Sequence, residues 1–261
     1  MKRLLGIAML ALVAGCATQP PAQKFPVPES GAIIGEPSSP LNRAKIHTDL
    51  ASMYLQIGKV AFALQEARTA ESIDPTYALA HNMLGLIYMG LRENELAEHS
   101  FQQALKYSPN DPNINHNYGW FLCQTGREAQ SIAYFRRAIR DPLYGNQAES
   151  YAVAGQCEAR MGKLKDAETD LERALTLQPN EPLALMQLGE LRYKQGDYLG
   201  ARKLVRRFDE TVGQNAASLW LGLRVERKLG QSQAEASYAA ELRRRFPGSP
   251  EYQKLQRGDY E

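Results

Sequence analysis

The chain has 261 residues, 31 basic and 29 acidic side chains, and a formal net charge of +2. Both charges of the excess, Lys2 and Arg3, sit in the first three residues, so the remainder is neutral and carries no basic footprint for nucleic acid. The densest basic cluster, Arg243-Arg244-Arg245, reads as a solvated helix face with snorkelling stems.

At the N-terminus an apolar run from Leu4 to Val13 covers ten residues, against about 20 for a membrane span. A basic start, a short apolar stretch and small closing residues predict a secretory signal peptide over residues 1–15. The run Leu12-Val13-Ala14-Gly15-Cys16 resembles the bacterial lipobox, whose cysteine is acylated and becomes the first mature residue. That resemblance makes Cys16 the expected lipid anchor. Ala17 and Thr18 follow it, with no aspartate. By likeness to the lipoprotein sorting rule this implies the periplasmic face of the outer membrane. More than one acyl chain is needed for stable anchoring, and a lipobox cysteine supplies it.

Residues 16–43 contain prolines 20, 21, 26, 28, 37 and 40 and few large apolar side chains. Such a segment buries too little surface to offset its chain entropy. It is expected to be a tether reaching roughly 80 Å if extended as polyproline and roughly 30 Å as a coil.

From residue 44 the sequence repeats. Counting from Ala78, Leu84 is position 7, Gly85 is 8, Tyr88 is 11, Ala97 is 20, Phe101 is 24, Ala104 is 27 and Pro109 is 32. That is the tetratricopeptide (TPR) pattern. Small residues at 8, 20 and 27 let helix A and helix B approach, large ones at 7, 11 and 24 fill the space between, and proline stops helix B. The pattern recurs from Ala44, Pro112, Ala148 (after two extra residues), Pro182 and, most weakly, Ala216, where Glu235 stands in place of a small residue. Glycines 58, 126, 162, 196 and 230 all fall at position 15. The expected fold is all-α, a right-handed superhelical solenoid of six repeats (44–77, 78–111, 112–145, 148–181, 182–215, 216–249) with a terminal tail at 250–261.

No nucleophile elbow, dinucleotide loop, Walker loop or zincin motif is present, and His47, His81, His99 and His116 form no metal-like pair. The expected chain is therefore not an enzyme and carries no cofactor or metal. Solenoids bind extended ligands on their concave face, which positions 2, 5, 9, 12 and 13 of each helix A are expected to line. There Leu55, Leu79, Leu86, Met89 and Trp120 form an apolar strip flanked by Asn82, Asn113 and His116. The same positions of repeat 4 give the more polar Glu149, Ala152, Gln156, Ala159 and Arg160. Repeats 1–3 are thus the expected partner groove, unless the superhelical twist or the tether covers it. Trp220 fits either groove or core. Cys123 leans toward the next helix A and Cys157 faces back at the preceding repeat, so the two are either a disulfide, the expected state in the periplasm, or two buried thiols.

The stretches "NINHNYGWFLCQTG" (113–126), "GQNAASLWLGLRV" (213–225) and "FPGSPEYQKLQ" (246–256), together with the lipobox, tether and six repeats, resemble the PilF/PilW family of type IV pilus pilotin lipoproteins. The resemblance implies a monomeric outer-membrane lipoprotein that helps the pilus secretin, PilQ, reach that membrane and multimerise. Cys16 matches the lipidated cysteine, and Asn117 to Leu122 match the family's NYGWFL core. A second expectation is a TPR lipoprotein adaptor that recruits a periplasmic protease or cell-wall enzyme. The 213–225 segment, which such adaptors do not require, discriminates between the two.

Overall fold

The computed structural model describes residues 39–260, and all regular structure among them is α-helical. The expected signal peptide, Cys16 and nearly all of the expected tether lie outside the described residues. Six hairpins follow one another: α1 (Pro40–Gln56) with α2 (Val60–Ile73), α3 (Ala78–Gly90) with α4 (Asn94–Tyr107), and α5 (Pro112–Gln124) with α6 (Glu128–Ala138). Then come α7 (Gln147–Arg160) with α8 (Leu164–Leu177), α9 (Pro182–Lys194) with α10 (Tyr198–Thr211), and α11 (Ala216–Lys228) with α12 (Ser232–Arg245). A thirteenth helix, α13 (Pro250–Arg257), closes the described chain.

Two boundaries differ from the sequence expectation. The assignment of Pro40–Arg43 to the tether is corrected, because these residues form the first turn of α1. The Ser39 side chain accepts a hydrogen bond from the Asn42 N–H, and Pro40 takes the first helical position, where its fixed φ suits a helix start. The segment 250–261 is likewise no loose tail. Ser249 caps α13 in the same way, and Tyr252, Leu255 and Tyr260 pack on Leu219, Trp220, Leu223 and Leu242. Trp220 stacks on the Tyr260 ring at 5.8 Å between centroids and is buried, so it belongs to the core.

Within each hairpin the helices cross where position 8 meets position 24. A Cβ on Gly85 would come within 2.7 Å of the Phe101 ring, and one on Gly155 within 2.8 Å of Leu171 Cγ. The sixth hairpin has the same contact between Gly222 and Tyr238, at 2.6 Å. Those residues are one place earlier than a register starting at Ala216 requires. With the register corrected by one, Ala234 takes the small-residue position, and the mismatch at Glu235 disappears.

Between hairpins, positions 3 and 10 of helix A are buried against the preceding repeat in the second to fifth hairpins. Ala80, Ile87, Ile114, Phe121 and Ala184 are all fully buried, and Leu191 nearly so. In α1 the equivalent residues, Ile46 and Met53, are 55% and 62% exposed. They form the open end of the stack among the described residues, whereas α13 packs on the sixth hairpin.

Candidate functional site

The expected groove residues separate into two groups. Leu86, Met89 and Trp120 line one cleft of about 670 Å³, formed by the C-terminal halves of α3 and α5 and the α3–α4 turn. Trp120 is 37% exposed there. The α3–α4 turn adds Arg92 and Asn94, and the end of α5 adds Gln124.

The others are placed differently. Leu55 packs, as Leu86 and Met89 also do, against the core around Leu84, Ile87 and Phe121 but does not line the cleft. Leu79 packs on Ala78, Ala104 and Ile114. Asn82 is buried, and its Oδ1 accepts a hydrogen bond from Asn117 Nδ2 at 3.1 Å. His116 is buried with Nδ1 2.7 Å from Ser150 Oγ, and burial lowers its pKa despite the Glu149 carboxylate 4.0 Å from Nε2. Asn113 is exposed. The expectation that Asn82 and His116 offer polar groups to a partner's backbone is therefore corrected: they tie adjacent A helices together. Helix stacking covers position 5, while position 9 stays open.

Behind the cleft the third and fourth repeats are joined covalently. Cys123 on α5 and Cys157 on α7 form a disulfide with Cα atoms 6.0 Å apart. Arg160 also donates to the Cys123 carbonyl at 3.1 Å. Beside it, Arg136 holds the buried carboxylates of Glu158 (3.1 Å) and Asp170 (2.7 Å). Burial and the neighbouring Asp170 charge push the Glu158 pKa up to about 7. The cluster links α6, α7 and α8, so this junction is braced by a covalent bond and by ion pairs together.

Arg92, Asn94 and Thr125, which completes the cleft wall, were not anticipated as site residues. The signal for Arg92 was present in the sequence as a gap in the position-15 glycine series. Among the described residues, no helix is long and apolar enough to cross a membrane, and no cluster of His, Cys, Asp and Glu has the makings of a metal site. What the cleft offers is an apolar floor with a cationic and amide rim, suited to holding a polypeptide segment.

Comparison with known proteins agrees with this architecture. Residues 82–146 and 154–216 match the family model described as tetratricopeptide repeat. The type IV pilus assembly protein PilF of Pseudomonas aeruginosa is 32% identical over 203 residues, 78% of this chain and 81% of that protein. The crystal structure of PilW, described as a widely conserved type IV pilus biogenesis factor, is similar with a TM-score of 0.76 and 34% identity. It is matched over 82% of this chain and 98% of that one. The P. aeruginosa PilF structure gives a TM-score of 0.75 and 31% identity, over 83% and 98% of the two chains. The chain belongs to the PilF/PilW-like family of type IV pilus TPR proteins.

Proposed function

We propose that the chain is a pilotin. Anchored in the outer membrane through lipidated Cys16, it binds the type IV pilus secretin subunit and promotes its localisation and multimerisation there. Similarity over nearly the whole of the solved PilF and PilW chains carries this reading. The lipobox-like start and the Ala17-Thr18 pair support the membrane assignment. A non-catalytic repeat fold with one well-formed apolar cleft supports a binding role, because a concentrated exposed apolar surface marks an interaction site. Leu86, Met89 and Trp120 are the groove residues that remain available for it.

The test is binding of purified secretin subunit to the mature chain carrying Leu86→Glu and Trp120→Ala. Loss of a central aromatic anchor costs about 2 kcal/mol or more, and the charge on the cleft floor adds to that. Melting temperature is the control. Trp120→Ala alone should change it little, because Trp120 is partly exposed. Leu86 packs on the core, so binding by the single Trp120→Ala variant is compared beside the double one. A well-folded double variant that binds secretin as the wild type does would move the partner site off this cleft.

A further inference from the structure

Five of the six turns between helix A and helix B place a glycine in the left-handed backbone region: Gly58, Gly126, Gly162, Gly196 and Gly230, with φ from 70° to 83°. The second repeat puts Arg92 there, at φ 62°. A side chain in that region carries steric strain, because Cβ crowds the backbone carbonyl. The turn itself gains nothing from an arginine, since its five counterparts form with glycine.

What sets this turn apart is its position on the rim of the Leu86–Met89–Trp120 cleft. Arg92 is exposed and is the only charged side chain lining that cleft. Among the described residues, no carboxylate pairs with its guanidinium. Glu93 and Glu95 follow it in the chain, but neither lines the cleft. The walls thus combine an uncompensated cation, an apolar floor and the amides of Asn94 and Gln124.

We propose that Arg92 is the specificity-determining residue of this cleft, selecting a secretin segment in which a bulky apolar side chain stands beside a carboxylate. The inference rests on the pilotin reading above. The apolar side chain covers Leu86, Met89 and Trp120. The carboxylate accepts charge-assisted hydrogen bonds from the guanidinium, and the two amides bond the segment's backbone. An ion pair at the edge of an apolar floor is screened less by salt than one standing free in solvent. The strain stored at Arg92 is consistent with a residue retained for binding at a cost to the turn.

That combination gives an unusual signature, in which one substitution raises stability and lowers affinity. The probe is the purified secretin subunit, titrated against the mature chain at about 50 mM and about 500 mM salt. Arg92→Gly should raise the melting temperature by about 2–4 °C. It should weaken binding about tenfold at low salt, and the wild type's loss of affinity with added salt should largely vanish. Arg92→Lys keeps the charge, so its affinity should stay within about threefold of wild type with no gain in melting temperature. A glycine variant that binds as wild type with the salt response intact would overturn the proposal and leave the pilotin reading standing. So would a glycine variant with a lowered melting temperature, because the side chain would then be structural. Failure of the wild type itself to bind secretin would overturn both.

Discussion

Removing the Cys123–Cys157 bond is expected to destabilise the mature chain by about 3–4 kcal/mol, the chain-entropy value for closing a loop of this length. The bond spans 34 residues and joins the two A helices on either side of the two-residue insertion between the third and fourth repeats. The connection between α6 and α7 carries the inserted residues, and α6 is the shortest helix of the six hairpins. Nothing else in the stack is tied covalently, and the Arg136–Glu158–Asp170 cluster beside the bond contains two carboxylates competing for one cation. Urea unfolding of the wild type with and without reductant, beside Cys123→Ala/Cys157→Ala, measures the effect. A lower midpoint for both the reduced and the alanine proteins is the expected result. Coincident curves would mean that packing alone holds repeats 3 and 4 in register.

The other large effect separates two residues at the same repeat position. Ile87 and Met53 are both position 10, yet Ile87 is fully buried and Met53 is 62% exposed. Ile87→Glu places a carboxylate between α3 and the preceding repeat with no cation to receive it. An uncompensated buried charge costs several kcal/mol, about 3–5 by analogy with a broken buried ion pair. Met53→Glu meets water instead and should cost about 0.5 kcal/mol or less. Thermal unfolding of the two variants should therefore differ widely, with Ile87→Glu losing cooperative unfolding or failing to fold. Equal losses would show that α1 is covered in the folded protein and that the stack does not end there.

The repeat architecture was legible because it is written in the sequence several times over. A glycine at position 8 and a large residue sixteen places later recur in Gly85/Phe101, Gly119/Phe135 and Gly155/Leu171, and each pair is a helix crossing. The failures came where one signal served two meanings. Pro40 looked like another tether proline but starts a helix, because Ser39 caps it. Gly230 fixed the register of the last repeat through its turn, one residue away from the register set by the Gly222–Tyr238 crossing.

The site was legible only in part. Position 9 gave Leu86 and Trp120, which line the cleft, but position 5 gave Asn82 and His116, which the next A helix covers. Counting positions places a side chain on a face of its own helix and does not report how closely the neighbouring helix lies. Arg92 was missed for the opposite reason, because turn positions are read for backbone and not for what their side chains reach.

Membrane fractionation of cells lacking this chain tests the proposed pilotin role most directly. The secretin multimer is followed in the outer membrane with and without complementation. The account predicts that multimers are lost in the deletion and return with the wild-type chain. Cys16→Ala is expected to leave the repeats folded and to remove the proposed anchor, so that multimers are reduced or trapped in the inner membrane. Normal multimers in the outer membrane of the deletion strain would contradict it.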